Sequence, residues 1–134
     1  MNRLSIGIAI LALAVMACMG APQDGTDGQP ALGGAAAIEL CNAANPDSLP
    51  VIVQQIEQIE ETADTAPLVA ALATTLTLVQ QLQLEADSEA ASWQAAGVDA
   101  IQQLQRRMDD PERRPAVADH AARTLGILQS QICP

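Results

Sequence analysis

The sequence contains no Lys, no Phe and no Tyr, and only one Trp and one His. Each of these shortages excludes something. With aromatics at 1% there is no platform on which bases could stack, and the composition is a poor fit to most β-sandwiches. All six basic residues are Arg, set against 16 acids, so the formal net charge is −10. Nucleic-acid binders need a basic face, which this balance does not supply. A lone His, His120, with no Gly-flanked Ser leaves a Ser-His-carboxylate triad without its parts. Asp119 precedes His120, but neighbours on a helix point about 100° apart and orient each other poorly. No phosphate-cradling Gly loop, dinucleotide fingerprint, cofactor motif or small-molecule site is visible. We therefore read the chain as non-enzymatic.

What is present is apolar and helix-forming. Hydrophobic residues make up 49% of the 134 positions, too many for a disordered chain, and the length suits one compact domain. Arg3 is followed by an apolar run over residues 4–17. A positive start before a short apolar stretch is the pattern of a secretory signal, and a membrane span needs roughly 20 residues. The end of the run, Val15-Met16-Ala17-Cys18, resembles the lipobox of bacterial lipoproteins. Met16 departs from the commonest residues at its position. The resemblance covers residues 1–18. It implies cleavage before Cys18, lipid on the Cys18 thiol and amine, and a cell-envelope location. By analogy with enterobacterial lipoproteins, Met19 rather than Asp after the Cys implies the outer membrane.

Residues 18–34 hold five Gly and two Pro and show no apolar periodicity. They read as a lipid-anchored flexible linker with a reach of roughly 20–25 Å. Asp24-Gly25-Thr26-Asp27-Gly28 looks faintly like a calcium loop but lacks the later ligands and the bidentate Glu.

Residues 35–134 read as a helical domain rich in Ala, Leu, Gln and Glu. The spacing predicts a short helix over 35–44, broken at Asn45-Pro46, with Asp47 or Ser48 capping the next. That helix, about 49–62, puts Leu49, Ile52, Ile56 and Ile59 on one face. A third, 66–84, carries Leu68, Leu72, Leu76, Val79 and Leu82, broadened by Val69 and Leu78, and is expected to be the most buried. A fourth, 89–108, turns Trp93, Val98, Ile101, Leu104 and Met108 inward. A last helix, started by Pro115, carries Val117, Ala121, Leu125, Leu128 and Ile132. The fold class is all-α: a small antiparallel bundle of about four helices plus a short N-terminal helix. With no Phe or Tyr to fill the core, Ala and Gly97 must let helix axes approach closely.

Cys41 and Cys133 are the two remaining thiols. In an exported chain they most simply form a disulfide, closing a loop of about 90 residues worth roughly 4–5 kcal/mol in the chain-entropy model. A metal site of Cys41, Cys133 and His120 is the competitor and lacks a fourth ligand.

The charge is unevenly distributed. Residues 18–105 hold twelve acids and no base, whereas all five remaining Arg fall within 106–123. Two readings stand for Arg106, Arg107, Arg113 and Arg114. They pair internally with acidic faces of neighbouring helices, or they form a patch for a partner protein or lipid headgroups. Carboxylate pairs Glu57–Glu61 and Glu60–Asp64 read as a solvated acidic face. Trp93 reads as a core anchor, the alternative being an exposed interface residue.

The reading is an envelope lipoprotein presenting a helical module for protein binding or scaffolding. Its plan of lipobox, spacer, helical bundle and two Cys is similar to that of pilotins, with no motif matched residue by residue. The alternative is a structural or surface lipoprotein with no specific partner.

Overall fold

The computed structural model describes residues 32–59 and 64–134, which belong to one compact unit, Ala31–Pro134. The expected signal peptide, the lipobox with Cys18 and most of the linker lie outside the described residues. Among those described there are five helices and no strands: α1 (Ala35–Cys41), α2 (Leu49–Glu57), α3 (Ala66–Gln80), α4 (Glu89–Arg107) and α5 (Arg114–Ile132). This is the small helical bundle expected from the spacing. The helices start where predicted. Three end earlier: α1 three residues short of the predicted end, α2 in a turn around Gln58 with Ile59 still buried, and α3 at Gln80.

Local chemistry explains the starts and stops. Ser88 caps α4 by accepting a hydrogen bond from the Ala91 amide at 3.1 Å, satisfying one of the four orphan amides of a helix start. Ser48 occupies the cap position of α2, yet its hydroxyl is buried without a hydrogen-bond partner, so only its extended backbone does the capping work. Asp64 accepts from the Ala66 amide at 3.0 Å and starts α3. Asp110 accepts from the amides of Glu112 and Arg113 at 3.2 and 3.3 Å, turning the chain into α5. The end of α3 is tied to α4 by Gln94, whose side-chain amide donates to the carbonyl of Val79, in the last turn, and of Leu82, just beyond it, at 2.8 and 3.1 Å. The Val79 carbonyl also accepts from the Leu82 amide at 3.3 Å, so Gln94 adds a second donor at a helix end whose acceptors have few intrahelical partners.

The expected order of burial is reversed. α5, not α3, is the most buried helix. It buries Ala118, Ala121, Ala122, Thr124, Leu125, Leu128 and Ile132, whereas α3 buries only Leu68, Leu72, Thr75 and Val79. The reason is position. α5 is packed against α4, α2 and α1, with α4 its most extensive neighbour. Leu content misleads for α3, whose Val69 stays exposed and whose Leu76 and Leu78 are only half-buried. One buried polar group in α3 is useful. Thr75 donates its hydroxyl to the Asp47 carbonyl at 2.8 Å and ties the loop before α2 to α3.

Cys41 and Cys133 are bonded, with an S–S distance of 2.04 Å and Cα atoms 5.5 Å apart. His120 stands on α5 thirteen residues before Cys133, about 20 Å along the helix, so the two cannot share a metal. The disulfide is one of three ties at the start of the domain. The Leu32 amide donates to the Ile132 carbonyl at 3.0 Å, and the Gln83 amide to the Gly33 carbonyl, also at 3.0 Å. Residues 32–34, read from sequence as the end of the linker, are thus held by the bundle. Gly33 has φ 113°, a backbone conformation that requires glycine, and a Cβ there would also push on Leu82 Cδ2, 2.8 Å away.

Two predictions follow from this packing. Reduction of the disulfide, or Cys41→Ser with Cys133→Ser, is expected to lower unfolding free energy by about 2–4 kcal/mol in urea denaturation; an unchanged midpoint would remove the clasp from the account. The two glycines within α4 and α5 are expected to answer oppositely. A Cβ at Gly126 meets nothing within 4 Å, so Gly126→Ala should stabilise by about 0.5–1 kcal/mol through helix propensity. At Gly97 a Cβ already lies 3.3 Å from Leu128 Cδ2 and 3.4 Å from Leu125 Cδ2. Gly97→Val should therefore cost about 1–3 kcal/mol by overpacking. Thermal melts of the two variants check the pair.

Candidate functional site

The Arg cluster sits where α4 ends and α5 begins. α4 closes with Arg106 and Arg107 in its last turn, where cations offset the partial negative charge of the carbonyl end. Both side chains are exposed. The chain then turns through residues 108–113 into α5, and Arg114 reaches back to donate from Nη1 to the Met108 carbonyl at 3.1 Å. That bond satisfies an acceptor at the end of α4 and locks the corner, and the Arg114 Nε beside it is buried without a partner.

The expected internal pairing takes a different form. Among the described residues the ion pairs are local, not between helices: Arg113 Nε lies 4.0 Å from Asp110 and Arg123 Nη2 lies 2.9 Å from Asp119. The side chains of both arginines are mostly exposed, at 65% and 76%, so these pairs contribute little to stability. Arg106 and Arg107 have no ion partner among the described residues. The corner thus splits by role: Arg114 is structural, Arg113 is loosely engaged, and Arg106 and Arg107 are free to meet something else.

The other sequence candidates are dispersed. Trp93 is half-buried and packed against the core rather than standing out as an interface residue. His120 is exposed on α5. Of the carboxylate pairs, Glu57 and Asp64 are exposed, while their partners Glu61 and Glu60 lie outside the described residues. Among the described residues no group of three His, Cys, Asp or Glu could hold a metal, and no helix is long and apolar enough to cross a membrane.

Two shallow concavities flank Ile59. One, of about 240 Å³, lies between the end of α2 and the start of α3, with Gln55, Asp64 and Leu68 in its wall. The other, of about 290 Å³, lies between α2 and the first turns of α5, against Ile56, Glu57, Pro115 and Asp119. Both mix polar and apolar atoms; the second brings the exposed carboxylates Glu57 and Asp119 to one wall, with Asp119 also paired to Arg123. The chain matches no protein-family model, no curated protein and no solved structure.

The division of roles at the corner is testable. Arg114→Ala removes a charged donor from a partly buried carbonyl and is expected to cost about 1–3 kcal/mol. Arg106→Ala and Arg107→Ala should stay within about 0.5 kcal/mol. Chemical denaturation of the three variants measures the difference; equal losses would make the whole cluster structural.

Proposed function

We propose that the chain is a lipid-anchored lipoprotein of the bacterial cell envelope, outer-membrane attached, that displays a helical module for binding or scaffolding another envelope protein. The observation that carries this reading is Val15-Met16-Ala17-Cys18 at the end of a short apolar run after Arg3. Three further points support it. The linker composition of residues 19–31 separates Cys18 from the bundle. A disulfide suits an oxidising compartment outside the cytoplasm. Arg106 and Arg107 stand exposed at one corner with no ion partner among the described residues, available to a partner. The Gln and Glu that cover much of α2 and the α3–α4 connection favour the alternative, a structural surface lipoprotein with no specific partner.

The anchor is tested by intact mass. Chain extracted from membranes with detergent is expected to begin at Cys18 and to carry acyl chains, and Cys18→Ala should leave an unacylated precursor. More than one chain is needed for stable attachment, since a single acyl group holds a protein only marginally. A mature chain without acyl mass would overturn the reading.

A further inference from the structure

α3 has an outer face unlike that of any other helix. Its inner side buries Leu68, Leu72, Thr75 and Val79. At about 100° per residue, Ala66, Ala70, Ala73 and Thr77 fall on the opposite side, flanked by Val69 and Thr74, and all six are exposed. The outward face of a helix in a globular domain ordinarily carries charge. The other four helices keep to that rule, with Glu39, Glu57, Asp99 and Asp119 exposed on α1, α2, α4 and α5. α3 does not. Between Asp64 and Glu85 no residue is charged, in a chain of net −10.

We propose that the outer face of α3 is a self-association surface, on which a second copy of this chain packs through its own α3. Charge chooses the occupant. Two chains that each carry −10 repel one another across any faces that present carboxylates. A face without charge is where two such chains approach at least cost. A partner of different sequence has no need of that neutrality, because its basic groups could be matched to the acidic faces instead. Shape agrees with the choice. The side chains along the middle of the face are small, so two helix axes can come close, while Val69 at its edge supplies an apolar flank that is 42% exposed. A twofold axis through the middle of α3 sets Ala73 against its own copy. Size sets the strength. α3 has 15 residues, a face about 22 Å long and about 10 Å wide. That is less than the roughly 1,200 Å² of total burial a stable specific interface starts from, so the pairing is weak and reversible. It stands on α3 and does not depend on the Cys18 anchor. Where that anchor holds, confinement to one membrane raises the effective concentration of the copies.

The test is thiol crosslinking of the full chain in the membranes of cells that make it. Ala70→Cys and Ala73→Cys are compared with Ala116→Cys, an equally exposed position on α5. The reagent is a short bismaleimide, which leaves the disulfide intact, and the unsubstituted chain is the blank. Expected is a homodimer from positions 70 and 73 and none from 116. Adding Ala73→Glu to Ala70→Cys should lower the dimer yield by about tenfold, because it sets like charges face to face. Its thermal melt should match that of Ala70→Cys, since the side chain at 73 points to solvent. On the purified chain in non-ionic detergent, raising salt from about 20 mM to about 500 mM should increase the yield, because screening removes the net repulsion. No dimer, equal yields at all three positions, or a yield that falls with salt overturns the proposal. A product joining position 70 or 73 to another protein, or to Cys18 of the same chain, in place of the homodimer gives the face to that occupant and overturns the second copy.

Discussion

A core that has no Phe or Tyr must close by bringing backbones together, and most of this structure follows from that constraint. Aromatic rings ordinarily supply the volume that spans between helices. Here the largest fully buried side chains are Leu and Ile. The gap is closed instead by Gly97 and Ala100 of α4 and by Ala118, Ala121 and Ala122 of α5, all buried. Small residues let two helix axes approach, so that short branched side chains such as Leu125 and Leu128 interdigitate at native density. This is why α4 against α5 is the dominant contact and why the last helix becomes the spine. A domain built this way has a modest reserve, since its side chains bury less area each than an aromatic core would.

The clasp at the entry end compensates for what that core cannot do. α1 has only seven residues, too few to hold helical form alone. It is kept in place by burying Ala36, Ala37 and Leu40, by the backbone bonds of Leu32 and Gly33, and by Cys41. Without covalent closure the chain start and the last turn of α5 would be the natural places for fraying. The bond joins these two weak points to each other, so each limits the motion of the other. If Cys18 carries the anchor, pull from the membrane reaches the domain at this clasp and not at the exposed corner.

Much of this was legible from residue spacing. The five helices and the first-turn proline of α5 could be read without coordinates, because prolines and apolar faces act within a few residues. The Cys41–Cys133 pair could be read because two thiols remained once Cys18 was set aside. The side-chain cap expected of Asp47 or Ser48 is not made. What spacing could not supply was which helix lies in the middle. Leucine count pointed to α3, but burial depends on how many neighbours surround a helix, and that is set by the whole arrangement. Long-range polar ties were equally invisible: nothing local marks Thr75 as the donor to Asp47, or Gln94 as the donor to Val79 and Leu82. The Arg cluster was visible as a composition shift, yet its division into Arg114 reaching Met108 and Arg106 with Arg107 left open needed the turn of the corner to be seen.

That division bears on why the corner is built as it is. An arginine that both caps a helix and recognises a partner would have to leave one task to do the other, and breaking a bond to a buried carbonyl exposes an unsatisfied acceptor. Separating the tasks avoids the conflict. Arg114 stays in its hydrogen bond, while Arg106 and Arg107, in the last turn of α4, hold no ion pair among the described residues that the fold would lose. The same logic explains the nearby carboxylates. Asp110 is consumed in turning the chain and in holding Arg113, so it lowers the corner's net charge without reaching Arg106 or Arg107.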